Sequence, residues 1–291
     1  MSEQPGRLYL VATPIGNLED VTLRALRVLR EVEVIAAEDT RVTRRLLNRH
    51  GIANRIISYH QHNAARRTPQ ILRMLAAGRD VAVVSDAGMP GISDPGQELA
   101  AAAIANGFSV VPLPGASAAI TALAASGLAA REFTYLGFLP RSSRERRARL
   151  ASVADEPRAL VCFESPHRLL AALEDIGAVL GDRQIAAARE LTKRFEEFVR
   201  GTPAQVRARF AGRAPRGEVT IVIAAPSRCR GAGPGGGGKA GAAPAQLDAA
   251  VERARALVAT GHRKADAARA AAEEYGVARR DVYRGLTEEE L

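Results

Sequence analysis

From Arg7 to Pro112 the chain alternates short apolar runs with stretches of helical spacing, and few architectures accept that rhythm. Arg7–Ala12, Val32–Ala37, Arg55–Ser58, Asp80–Val84 and Phe108–Pro112 read as strands, with Val21–Glu31, Arg41–His50, Ala64–Ala77 and Gln97–Ala105 as the helices between them. A run such as Val81-Ala82-Val83-Val84 has no polar face, so it must be covered on both sides, as a parallel strand is between layers of helix. Repeated strand–helix units of this kind predict a mainly parallel sheet.

Pro112-Leu113-Pro114-Gly115 interrupts the pattern, and a second unit follows it. Ala116–Ser126, Ser142–Val153, Arg168–Val179 and Pro203–Phe210 read as helices, and Phe133–Gly137, Ala159–Glu164, Gln184–Arg189, Glu196–Gly201 and Glu218–Ala224 as strands. The short connection between Gln184–Arg189 and Glu196–Gly201 suits an antiparallel pair, so this second sheet is expected to be mixed. Arg228–Pro244, centred on Gly233-Pro234-Gly235-Gly236-Gly237-Gly238, has the composition of a flexible linker. Beyond it Ala245–Thr260, His262–Tyr275 and Arg279–Leu286 read as three helices, the last two joined through Gly276 in the manner of a helix-turn-helix. The expected organisation is two α/β domains, 1–113 and 114–225, a Gly/Pro-rich linker, 226–245, and a small helical module, 246–291.

Ser85-Asp86-Ala87-Gly88-Met89-Pro90-Gly91-Ile92-Ser93-Asp94-Pro95-Gly96 is the segment richest in chemistry. It falls at the C-terminal end of a strand, where open α/β sheets bind ligands, and it is much longer than the roughly 2–6 residues of an ordinary strand-to-helix loop. Its glycines let backbone approach a ligand, its prolines stiffen the loop, and its aspartates offer acceptors. Polar loops follow the other strands too: Thr13-Pro14-Ile15-Gly16-Asn17, Glu38-Asp39-Thr40-Arg41, Pro114-Gly115-Ala116-Ser117, Glu164-Ser165-Pro166-His167-Arg168 and Ala188-Arg189-Glu190-Leu191-Thr192-Lys193. One such loop per strand, on one edge of two sheets, suggests a cleft between the domains.

Charge narrows the partners. Lys+Arg 41 against Asp+Glu 32 gives a net charge of +9, which favours a polyanion, nucleic acid first. Part of the excess is local: Arg141–Arg149 holds five arginines and one acid. Two cysteines, Cys162 and Cys229, make no disulfide framework and suit a reducing, cytoplasmic setting. No apolar stretch reaches the 18 or more residues of a membrane span. No G-x-x-x-x-G-K-[ST], no G-x-G-x-x-G after the first strand and no G-x-S-x-G is present, and the five histidines have no zinc spacing beyond His60-Gln61-His62, a pair that reads as exposed loop or substrate-facing, so no metal is expected.

The five segments Thr13–Asn17, Ala37–Arg41, Ser85–Gly96, Pro114–Ala118 and Ala188–Lys193, in that order, closely resemble the ribosomal RNA small subunit methyltransferase I family, a branch of the tetrapyrrole-methylase-like (class III) methyltransferases. The resemblance covers about residues 7–225. It implies S-adenosyl-L-methionine held between two α/β domains, a homodimer, and 2′-O-methylation of a cytidine in the decoding region of 16S rRNA within the small ribosomal subunit. Carried over by motif position, it places Pro14, Asp86, Gly88, Met89, Ile92, Ser117, Ala118, Phe163, Ala188 and Pro215 against the cofactor.

A ribose hydroxyl is a poor nucleophile until its proton leaves, so a base or an alkoxide-stabilising cation is needed. Glu38, Asp39, Glu190 and Lys193 are candidates, with Asp39, Glu190 and Lys193 singled out. The alternative for Glu190 and Lys193 is a plain ion pair. Candidate RNA contacts are Arg41 and Arg45, one helical turn apart, with Arg141, Arg144, Arg147 and Arg189. Other readings keep the fold with a tetrapyrrole or modified-histidine acceptor, or make the chain a non-catalytic ribosome-binding factor.

Overall fold

The computed structural model describes residues 4–128, 130–212, 217–226 and 244–287. The chain divides into two compact units, Met1–Cys229 and Arg230–Leu291. The expected linker falls almost wholly outside the described residues, as do Cys229 and Pro215.

The first sheet is built from β1 (Leu8–Val11), β2 (Val34–Ala37), β3 (Ile56–Ser58), β4 (Val81–Val84) and β5 (Val110–Leu113), in the order β3-β2-β4-β1-β5. Every pairing in it is parallel. Strands β2 and β4 are buried along their whole length, as their unbroken apolar runs require. Helices α1 (Leu23–Glu31), α2 (Thr40–Arg49), α3 (Ala64–Ala76) and α4 (Gln97–Ala105) connect the strands. One face of the sheet packs Leu26, Leu29 and Leu47, the other Ile71, Leu75 and Leu99.

The second sheet runs β6-β7-β10-β8-β9: β6 (Phe133–Phe138), β7 (Ala159–Glu164), β8 (Ile185–Arg189), β9 (Glu197–Gly201) and β10 (Val219–Ile223). Only β6 and β7 are parallel; the other three pairings, including the expected β8–β9 pair, are antiparallel. Helices α5 (Ala118–Ala125), α6 (Ser143–Ala151), α7 (Leu169–Leu180) and α8 (Pro203–Ala211) complete this half. One face of the sheet buries the large core of Leu160, Leu173, Ile176, Val206 and Phe210. The other carries Val161, Ala186, Ala188 and Val222, against which Ile15 of the first half and Ala119 and Ala122 of α5 pack. That second core joins the two sheets and fixes the opening between them.

Small shifts from the expected boundaries have local causes. Helix α5 begins at Ala118 rather than Ala116, because Ser117 is extended and its side chain accepts the Ile120 N–H as an N-cap. Strand β5 begins at Val110 rather than Phe108, because Gly107 takes a left-handed turn and the Phe108 N–H closes on the Ala103 carbonyl.

The second unit holds α9 (Pro244–Ala259), α10 (Lys264–Tyr275) and α11 (Arg279–Thr287). Its core is small and alanine-rich, with Ala254, Ala268, Ala271, Val282 and Leu286 at its centre. Gly276 ends α10 in the left-handed conformation, as the helix–turn–helix reading requires.

Candidate functional site

The loops after the parallel strands are tied to one another by backbone. Thr13 and Gly88 exchange both of their backbone hydrogen bonds, at 2.9 and 3.0 Å, so the loop after β4 hangs on the end of β1. The Asp39 N–H donates to Asp86 Oδ1 at 2.9 Å, and the Asp86 N–H to Glu38 Oε2 at 3.3 Å, which clasps the loops after β2 and β4. Within Ser85–Gly96, Gly88, Gly91 and Gly96 all have positive φ, and so does Ser93, at 69°. A side chain in that conformation is strained, and Ser93 Oγ is held by a 2.6 Å hydrogen bond with the Tyr135 hydroxyl of β6.

The first loop also reaches the second sheet. A Cβ on Gly16 would lie 2.6 Å from Lys193 Cγ and 2.9 Å from the Leu191 carbonyl oxygen. The Asn17 N–H donates to Thr192 Oγ1 at 3.1 Å. Only glycine admits this approach, and it brings Thr13–Asn17 onto Ala188–Lys193 across the opening.

Between the sheets lies a cleft of about 910 Å³ including its mouth. Ile15, Ala87–Met89 and Ile92–Asp94 line it from the first half, Ser117–Ala119 from the start of α5, and Phe163, Ala188, Leu191 and Thr220 from the second sheet. Phe163 is wedged edge-on between Tyr135 and Phe138, with ring centroids 5.4 Å from each. Glu164 lines the same wall. Its Oε1 accepts from the Ser165 N–H at 2.7 Å and pairs with Arg168 at 2.6 Å, while its Oε2 is buried with no hydrogen-bond partner.

Two further cavities share wall residues with this cleft. One, about 940 Å³, lies over Tyr59–His62 and the start of α4, with Glu38 on its wall, and shares Ser93 and Asp94 with the cleft. The other, about 880 Å³, runs between Thr13–Gly16 and α2, contains Asp86, Arg45 and Lys193, and shares Ile15, Ala87 and Glu218.

The carboxylates here are electrostatically crowded. Burial, then the charges of Glu38 and Asp86, push the Asp94 carboxyl up to about 7. Burial likewise raises Glu38 and Asp86 above the ordinary carboxylate range. Asp39 behaves oppositely: the Arg41 guanidinium and the Arg41 backbone N–H both donate to its carboxylate and lower it to about 2. For Lys193 burial acts to lower the ammonium, but the hydrogen bond to Glu190 and the charge of Glu218 leave it raised. Among the described residues, no three His, Cys, Asp or Glu side chains group so as to hold a metal ion.

Seven of the ten residues expected at a cofactor line the cleft: Gly88, Met89, Ile92, Ser117, Ala118, Phe163 and Ala188. Pro14 and Asp86 line the adjoining cavity on the α2 side, and Pro215 lies outside the described residues. Of the residues expected to carry the chemistry, Asp39 caps α2 and grips Arg41 at 2.7 Å. Glu190 accepts from Lys193 Nζ at 2.8 Å. With its ammonium raised, Lys193 is a cation at neutral pH and does not meet the lowered pKa that a base would need.

Of the expected RNA contacts, Arg45, Arg141 and Arg144 are exposed and Arg41, although paired, is 89% exposed. Arg147 pairs with the buried Asp175 at 2.5 Å, and Arg189 pairs with Glu197 at 3.0 Å. Ser93, Asp94, Glu164 and Glu218 also stand on the cleft wall, and sequence spacing does not single them out. Asp94 and Glu164 had one signal, a carboxylate in a glycine- or proline-bearing loop after an apolar strand, but spacing alone does not separate a wall residue from a turn residue.

The family profile of the Tetrapyrrole (Corrin/Porphyrin) Methylases matches residues 7–207. Proteins named ribosomal RNA small subunit methyltransferase I are among the similar relatives. That of Halalkalibacterium halodurans is 44% identical over 97% of this chain and 94% of its own. That of Synechocystis is 46% identical over 96% of both chains, and that of Micromonospora olivasterospora 51% identical over 75% of this chain and 70% of its own. Among solved structures, a cobalt-precorrin-4 methyltransferase superposes with a TM-score of 0.57 at 17% identity, covering 75% of this chain and 94% of that one. A uroporphyrin-III C-methyltransferase from Thermus thermophilus, complexed with S-adenosylhomocysteine, superposes with a TM-score of 0.53 at 21% identity, over 75% of this chain and 97% of that one.

Proposed function

The chain belongs to the tetrapyrrole methylase family, within its ribosomal RNA small subunit methyltransferase I branch, and from that membership we propose that it methylates rRNA of the small ribosomal subunit using S-adenosyl-L-methionine. The finer form of the proposal is 2′-O-methylation of a cytidine in the decoding region of 16S rRNA, by a homodimer acting on the assembled subunit. The observation that supports it is 44% identity over 97% of the chain to a relative of that name, joined to a cleft lined by four of the five segments that carry the resemblance.

The residues present fit the cofactor. The first-turn N–H groups of α5, at Ala118 and Ala119, have no intrahelical acceptor and suit a carboxylate. Gly88, with φ +81°, meets only Ala116 O at 3.6 Å and Ile15 Cγ2 at 3.7 Å where a side chain would stand, so backbone lies open along the cleft. Ile15, Ala87, Phe163 and Leu191 offer apolar walls to an adenine ring. Glu164 Oε2, a buried acceptor with no partner, is completed by a hydroxyl or amino donor.

When bound, the cofactor supplies a methyl group on a sulfonium, which leaves readily. The protein's work is then to orient the acceptor hydroxyl in line and remove its proton. Lys193 keeps its charge and, in the adjoining cavity on the α2 side, suits a phosphate or a developing alkoxide. Asp39 and Glu190 hold Arg41 and Lys193 in place.

The test is incubation with tritiated S-adenosylmethionine and small subunits from a strain lacking the homologous enzyme, with the label mapped by nuclease digestion and mass spectrometry. Label on a cytidine 2′-oxygen of 16S rRNA is the expected outcome. Cofactor binding without rRNA label points to another acceptor, and absence of both points to a non-catalytic docking factor. Sedimentation equilibrium tests the dimer.

A further inference from the structure

The donor cleft and the cavity over Tyr59–His62 meet at Ser93 and Asp94, and Asp94 is the one ionisable residue on both walls among the described residues. A group that takes a proton from a methyl acceptor must stand where the donor and acceptor volumes touch. The third cavity meets the cleft at a carboxylate too, Glu218, but that side chain is 78% exposed and lies 3.4 Å from Lys193 Nζ. It is solvated and paired with Lys193, so it is not set against the reacting atoms.

Resting on the reading above, we propose that Asp94 is the proton acceptor for the methylated hydroxyl and that the cavity over Tyr59–His62 receives the nucleotide carrying it.

The cavity suits a sugar and base taken out of the helical stack. Among the described residues its ionisable walls are Glu38, Tyr59, His60, His62, Asp94 and Glu98, with no Lys or Arg, so phosphates are repelled to the rim while a neutral nucleoside enters. Carboxylates accept from an exocyclic amino group such as that of cytosine. His60 Nδ1 is buried with no hydrogen-bond partner and remains available to a bound base.

Asp94 is itself held firmly. Ser93, its neighbour, is latched to Tyr135 of β6 at 2.6 Å. Glu38 after β2, Asp86 after β4 and Glu218 before β10 act on Asp94 as like charges, while the Ser85 side chain acts in the opposite direction. The result is a carboxyl balanced near neutrality, where a proton acceptor works best.

The step balances. The hydroxyl proton passes to an Asp94 carboxylate oxygen as the hydroxyl oxygen bonds to the methyl carbon. The carbon–sulfur bond breaks with its electron pair retained on sulfur, and the proton then leaves Asp94 for solvent.

The test compares wild type, Asp94→Asn, Asp94→Glu and Glu38→Gln on small subunits. Wild type is expected to show an acid limb near pH 7 in kcat/KM. Asp94→Asn is expected to lose about 10²–10⁴-fold in kcat, together with that limb, while calorimetric affinity for S-adenosylhomocysteine stays within threefold. Asp94→Glu is expected to keep the limb at reduced kcat, which preserves the test if the amide variant does not fold. Near-wild-type kcat with an unchanged limb in Asp94→Asn overturns the inference, as does transfer of the whole effect to Glu38→Gln. A wild-type chain that labels no rRNA while binding the cofactor overturns the function reading itself, and the inference with it.

Discussion

Asp94 gives the clearest pH signature among single residues. Its folded-state carboxyl is raised to about 7 from 3.8, so the folded protein binds its proton more tightly than the unfolded chain does. The stability it contributes is fully present below about pH 4 and is lost as pH rises through about 7. Asp94→Asn is therefore expected to melt above wild type at pH 8, with the difference closing toward pH 4, in calorimetric scans. Equal melting temperatures at both pH values would contradict the crowding described around it. Gly16 gives a steric signature. A Cβ at 2.6–2.9 Å from Lys193 Cγ, Thr192 Oγ1 and the Leu191 carbonyl must push the two loops apart. Gly16→Ala is expected to cost about 1–3 kcal/mol in urea melts and to weaken S-adenosylhomocysteine binding, because the cleft shares both loops.

At the scale of elements, α6 shows how a basic segment is spent. The sequence reads Arg141–Arg149 as one basic surface, but Arg146 is 3% exposed and pairs with the equally buried Asp175 of α7 at 2.6 Å. Arg147 and Ser143 close on the same carboxylate. Two of the five arginines therefore fasten the helix. Asp175→Ala strands a buried guanidinium and is expected to cost about 3–5 kcal/mol, read as a fall in the urea midpoint. Burial works against the Asp175 charge, but the hydrogen bonds from Arg147, Ser143 and Arg146 hold its carboxyl below the ordinary value. Its contribution is thus present above the unfolded pKa and fades as pH falls through the lowered one. The exposed Arg141 and Arg144 remain for phosphate. Replacing both with glutamine is expected to reduce the salt dependence of subunit binding in filter assays and to leave S-adenosylhomocysteine affinity unchanged.

At the scale of the whole molecule, the helical unit folds around its own core, with Ala250, Ala254, Ala267 and Ala271 fully buried. Deleting residues 246–291 is expected to leave cofactor binding intact and to weaken methylation of small subunits. Equal methylation by the shortened chain would remove the tail from substrate recognition. The architecture itself was legible in the sequence, because unbroken runs such as Val34–Ala37 and Val81–Val84 can be buried only between two layers, and that requirement is local. The antiparallel β8–β9 pair was legible from its short connection. Loop placement was legible as well: Gly88 and Ser117 line the cleft because they follow strands whose C-termini share one edge of the parallel sheet. What the tertiary structure alone decided is which charges remain available. Asp39, Glu190 and Arg147 each have a partner two, three or 28 positions away, and spacing does not say which pairs form. Asp94 became distinctive only when Glu38, Asp86 and Glu218, from three different strands' ends, were brought around it, since burial and summed charge are properties of the packed chain and of no single segment.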